Sequence, residues 1–64
     1  MTTTTRRMTA YDYDLIALAL SHTLRDYRKN DWEHFITYEK MEELLEQTME
    51  KAGLDNDQKE NYRR

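Results

Sequence analysis

Ser21 and His22 stand side by side in LALSHTLRDY, and a serine within reach of a histidine is the pairing that nucleophilic catalysis uses. Neighbours on a helix diverge by about 100°, so this histidine cannot take the proton of this serine. Neither a glycine-rich phosphate loop nor a backbone nest suited to an oxyanion accompanies them. Metal chemistry has slightly more to stand on. His22 with Asp26 at i, i+4, and Asp31 with His34 at i, i+3, each place two donors on one helical face. Two donors do not close a site, and a full one would need the pairs to meet or a symmetry mate to add more. The expectation is therefore a protein that is not an enzyme, with no catalytic residue, no cofactor and no metal.

Charge offers two further candidates. Glu39, Glu42, Glu43, Glu46 and Glu50 give the stretch from Thr37 to Ala52 five negative charges against two positive ones. Glu39 with Glu43 and Glu42 with Glu46 are like-charged at i, i+4, at a cost of a few tenths of a kcal/mol each. The plain interpretation is a solvated helix face; the functional one is an acidic docking face for a basic partner. The basic residues are scattered: Arg6 and Arg7 before the first apolar run, Arg25, Arg28 and Lys29 at the end of the first helix, and Arg63 and Arg64 at the terminus. Gathered by an oligomer, such residues, Arg6, Arg7, Arg25, Arg28 and Lys29 foremost, would form a phosphate-binding groove for nucleic acid or a phosphorylated ligand, with Tyr27 and Trp32 as stacking platforms. Left apart, they balance helix dipoles and keep the chain soluble.

The elements that must carry these groups are helices. With 64 residues there is room for one domain, and a chain this short buries only roughly 60% of its unfolded surface. Cysteine is absent, so disulfides and thiolate metal sites are excluded as supports, and burial against a partner is what remains. No proline and a single glycine, Gly53, argue against a turn-rich β-fold, while good helix formers abound. Residues 1–8 read as a flexible polar arm. Thr9 then fits an N-cap with Asp12 as its capping-box carboxylate and Met8 and Tyr13 as a hydrophobic staple, which opens a helix running to about Asn30.

On that helix Tyr13, Ile16, Ala17, Leu20, Leu24 and Tyr27 form one core stripe. Tyr11, Leu15, Leu18 and His22 lie on roughly the opposite side, which one partner helix cannot also cover. Residues 30–37 form the hinge: Asn30 or Asp31 caps a second helix at once, or Thr37 caps it after an irregular connection. Tyr38, Met41, Leu45, Thr48, Met49 and Ala52 then make a clean stripe that Trp32 and Ile36 miss. Gly53 followed by Leu54 fits a Schellman stop, after which Asp55 or Asn56 caps a last turn or two.

The predicted architecture is all-α: an antiparallel helical hairpin over 9–54, with room for a short C-terminal helix or tail over 55–64. Tyr11, Leu15, Leu18, His22, Trp32 and Ile36 are left as uncovered surface, joined by Tyr62. Such a patch predicts an interface, here a homodimer forming a helical bundle. Arg6 and Arg7 ahead of LIALAL superficially suggest an export signal, but Asp12 and Asp14 interrupt it and the apolar run is too short. No stretch reaches the ~18 apolar residues of a membrane span, so no membrane partner is expected and the cytoplasm is the default location. The leading expectation of function is a small interaction protein, a regulator or inhibitor that docks on a larger protein. Phages and mobile elements often encode proteins of this size and composition, an analogy of style with no motif behind it. Phosphate or nucleic-acid binding is the alternative, and a structural or assembly component is a third possibility.

Overall fold

The computed structural model describes residues 7–64, and among them it is all-helical. Three helices follow one another: α1, Ala10–Lys29; α2, Ile36–Ala52; and α3, Asn56–Arg63. Of the arm expected over 1–8, only Arg7 and Met8 lie among the described residues, and both are exposed.

α1 starts where its local chemistry dictates. The Thr9 hydroxyl accepts from the Asp12 amide at 3.2 Å, and the Thr9 amide donates to the Asp12 carboxylate at 2.8 Å. Two amides that the first turn leaves without partners are thus satisfied. It ends at Lys29 with Asn30 as C-cap, close to the expected Asn30, and the residue that stops it is Asp31. Asp31 has φ 57°, a left-handed conformation in which Asp is one of the few tolerated side chains. The Trp32 amide donates back to the Tyr27 carbonyl at 2.9 Å and the Asp31 amide to Arg28 at 3.3 Å. This is the Schellman pattern, and its usual apolar contact is present too: the Trp32 and Tyr27 rings meet edge-on at 5.3 Å.

Asp31 therefore stops α1 and does not cap α2, and neither Asn30 nor Thr37 caps α2 either. α2 begins at Ile36 behind an extended Phe35 that provides no side-chain cap. Packing sets that start, since Phe35 lies against Tyr27 and Trp32 at about 6 Å and Tyr38 stacks on Tyr27.

α2 ends in the same device with glycine in the left-handed position, Gly53 at φ 73°. The Leu54 amide donates to Met49 and the Gly53 amide to Glu50, while Leu54 packs against the core. A Cβ at residue 53 would meet nothing within 4 Å, so Gly53→Ala carries only the backbone cost. That cost is about 1 kcal/mol, expected as a lowered urea midpoint with unchanged slope.

α1 and α2 pack together. Ala17, Leu24, Tyr38, Met41, Leu45 and Met49 are buried between them, with Leu20, Tyr27, Leu54 and Tyr62 around the rim. The α2 stripe is as predicted, including Thr48, whose hydroxyl turns back onto the Leu44 and Leu45 carbonyls. The α1 stripe is rotated from its predicted centre. Ser21 is buried with Ala17 and Leu24, whereas Ile16 keeps 37% of its surface exposed. The cause is α3, which covers the Ser21 side of α1 and not the Ile16 side.

Eight residues with one large apolar side chain, α3 holds its place through polar contacts. Asp55 and Gln58 form its capping box, at 2.9 and 3.1 Å. Its last carbonyls, which no intrahelical amide reaches, accept from α1. The Ser21 hydroxyl donates to Tyr62 at 2.7 Å, Arg25 to Asn61 at 3.0 Å and Arg28 to Arg63 at 3.1 Å. Residues 21, 25 and 28 follow the i, i+4, i+7 spacing of one helix face, so a single row of α1 caps the whole end of α3. Tyr62, expected to be leftover surface, is instead half-buried: its ring rests on the core and its hydroxyl donates to Asp14 at 2.6 Å.

Candidate functional site

The polar candidates divide sharply. Ser21 is 1% exposed and spends its hydroxyl proton on the Tyr62 carbonyl, while His22 faces solvent on the next turn of the wheel. Among the described residues no three His, Asp or Glu side chains gather as metal ligands do.

The acidic residues Glu39, Glu42, Glu43, Glu46 and Glu50 are all exposed on α2. Ile36, Glu39, Lys40, Glu42 and Glu43 line a shallow depression there. Glu46 is set apart from the others by a two-pronged bond with Arg63 of α3, 2.7 Å on each prong. Those donated hydrogen bonds hold the Glu46 carboxyl below its ordinary range, against a smaller opposing effect of burial, and they favour the charged form of Arg63. One member of the acidic face thus ties α3 to α2.

The basic candidates are not brought together within one chain. Arg6 lies outside the described residues, and Arg7 precedes the N-terminus of α1, about 30 Å of helix away from Lys29. Arg25 and Arg28 cap α3, yet together with Lys29 and Arg64 they line an open depression at the C-terminal ends of α1 and α3. None of these four makes an ion pair among the described residues. Arg64, one of the two terminal arginines, joins them because the return of α3 across α1 brings it there.

The apolar candidates also separate. Trp32 is spoken for in part by Tyr27, and Ile36, 83% exposed, sits on the first residue of α2. Both lie past the C-terminal end of α1. Tyr11, Leu15 and Leu18 remain, exposed by 68, 46 and 41% respectively, and with exposed His22 they form a single row along α1. The contacts that α3 makes with α1 stop at Asp14, Ser21, Arg25 and Arg28, and leave this row exposed.

Comparison with models of protein families, with curated proteins and with solved structures finds no match to this chain. No described helix is long and apolar enough to cross a membrane.

Proposed function

We propose that the chain is a small non-enzymatic interaction module, a regulator or inhibitor that works by docking the outer row of α1 on another polypeptide. One observation carries this: Tyr11, Leu15 and Leu18 stand exposed in a line on a helix whose opposite side is the core. A monomer gains nothing from leucines at solvent positions, whereas an interface core is built from them together with tyrosine. In this proposal α1 and α2 run antiparallel as a hairpin, the arrangement that a six-residue connection favours. The docked polypeptide is a larger protein, a second copy of the chain, or both in turn, and the acidic face of α2 supports the choice of a basic partner by steering.

A second function is favoured by the depression lined by Arg25, Arg28, Lys29 and Arg64, whose cations make no ion pair among the described residues and suit a phosphate-bearing ligand. One experiment separates the two. The tagged chain and its Leu15→Glu/Leu18→Glu variant capture partners from extract of the cells that make the chain, at low and high salt. Docking through the row predicts a captured protein that persists at high salt and is lost by at least tenfold with the variant. Capture of nucleic acid, unchanged in the variant and abolished by salt, would overturn it in favour of the cationic depression.

A further inference from the structure

We infer that a single phosphate group bound among Arg25, Arg28, Lys29 and Arg64 locks α3 against α1. This rests on the depression they line being a phosphate site, and adds the size of the ligand and what its binding controls. Arg25, Arg28 and Lys29 stand at i, i+3 and i+4, so they share one face at the end of α1, and Arg64 is the C-cap of α3. Two of the guanidinium groups are already held. Arg25 donates to the Asn61 carbonyl at 3.0 Å, and Arg28 to the Arg63 carbonyl at 3.1 Å and the Leu24 carbonyl at 3.4 Å, which leaves further N–H groups on each for a ligand. An anion that meets donors already held costs less side-chain ordering than one that must collect mobile ones.

Compensating helix dipoles is too small a task for these cations. The C-terminal ends of α1 and α3 contribute roughly −0.5 charge each against four full positive charges, so about +3 is left over. Arg63, one residue away, pairs with Glu46 and Glu60, whereas no acidic side chain lines this depression, in a chain whose net charge is −3. The axial rise from Arg25 to Lys29 is only about 6 Å, which suits one dianionic group and not a run of backbone phosphates. Phosphate outdoes a carboxylate there, because its larger charge and additional oxygens can take donors from both arginines at once. Position supplies the control. Three of the cations belong to α1 and one to the end of α3. With the site empty, Arg64 approaches three like charges; with it filled, the same residue is drawn to the shared anion. Filling the site therefore reverses the sign of the force on the end of α3. Since α3 covers the Ser21 hydroxyl and sets Tyr62 on the edge of the core, the ligand decides how firmly that side of α1 is closed.

Hydrogen exchange on the full chain in about 10 mM inorganic phosphate, against sodium chloride of equal ionic strength, reads the lock, and calorimetry reads binding. Half-saturation is expected on the order of 1 mM for the wild type and on the order of 10 mM for Arg64→Gln, the ratio being the coupling to α3. By linkage the α3 amides of the wild type should exchange about fivefold more slowly in phosphate, and those of Arg64→Gln no more slowly than in chloride. Lys29→Gln loses affinity and keeps the coupling, so its binding should weaken about tenfold and its protection return at about 100 mM phosphate. Neither residue belongs to the hydrogen bonds that hold α3, so both variants should keep the wild-type circular dichroism. Phosphate that binds without slowing α3 overturns the lock and leaves the site standing. No binding at about 100 mM overturns both. An equal gain in the wild type and both variants is the general action of phosphate on apolar burial and overturns the site. A short single-stranded DNA that binds more tightly than inorganic phosphate, with a steep salt dependence, overturns the single group in favour of a polynucleotide.

Discussion

Leu24→Ala is expected to destabilise the fold by about 3 kcal/mol, a loss that leaves little of a chain this small standing. Leu24 is among the most completely buried side chains and belongs to the same core cluster as Met41, Leu45 and Met49 of α2. Three of its carbons removed leave a cavity that two helices joined by a tight hinge cannot close without disturbing the aromatic contacts of Tyr27. Against it stands a total stability of roughly 3 to 10 kcal/mol for 64 residues, with the lower figure the more apt at this size. The informative control is the same change on the other side of the same helix. Leu18→Ala deletes identical atoms from a solvent-facing position and should shift monomer stability by less than about 0.5 kcal/mol. Urea unfolding followed by circular dichroism checks the pair. Equal costs for the two substitutions would mean that α1 does not have one structural side and one free side.

What the sequence made legible and what it hid follow from the range over which each feature is determined. The Thr9 and Asp12 cap, the stripe from Tyr38 to Met49 and the Gly53–Leu54 stop were readable because each is settled within a few residues by backbone geometry or helical period. From sequence, Asp31 stays open between a helix cap and an irregular connection for a related reason. A short acidic side chain suits a helix start and also tolerates the left-handed conformation of a helix stop, and only the contact of Trp32 with Tyr27 decides between them. Ser21, Ile16 and Tyr62 could not be placed from periodicity at all. Their environments depend on α3 returning across α1, a contact spanning 41 residues between Ser21 and Tyr62 that no local pattern encodes. The same return explains the candidate surfaces. It adds Arg64 to the basic depression, diverts Arg25 and Arg28 into capping, and ties Glu46 to Arg63, yet it stops short of Tyr11, Leu15 and Leu18. Those three were identifiable beforehand because a helix with two apolar sides exceeds what one partner helix can cover, however α3 is placed.

Tyr62→Phe is the substitution expected to separate α3 from the rest of the fold. The phenol is the link between the core contact of the Tyr62 ring and the polar row on α1, and its proton bridges to Asp14. That hydrogen bond, aided by burial, raises the Tyr62 pKa above its ordinary value near 10. The sign follows directly: a raised folded-state pKa means that this contribution to stability is complete below about pH 10 and fades as the pH climbs through the folded value. In mildly alkaline solution the wild type should therefore hold α3, and at higher pH release it while α1 and α2 are still paired. Tyr62→Phe forfeits the bond at every pH, at about 1 kcal/mol given its partial exposure, and should abolish that alkaline step. Hydrogen exchange reads the result locally. The amides of α3 are expected to lose several-fold protection in Tyr62→Phe and more in Tyr62→Ala, with those around Leu24 and Met49 little changed. Loss of protection in all three helices together would mean that α3 is an integral part of one cooperative unit. If it opens alone, Ser21 and the flank of Leu24 are laid bare beside the Leu15–Leu18 row. Tyr62→Ala should then bind more of a dye that reports exposed apolar surface than the wild type does, with the double substitution Leu15→Glu/Leu18→Glu removing only part of that gain.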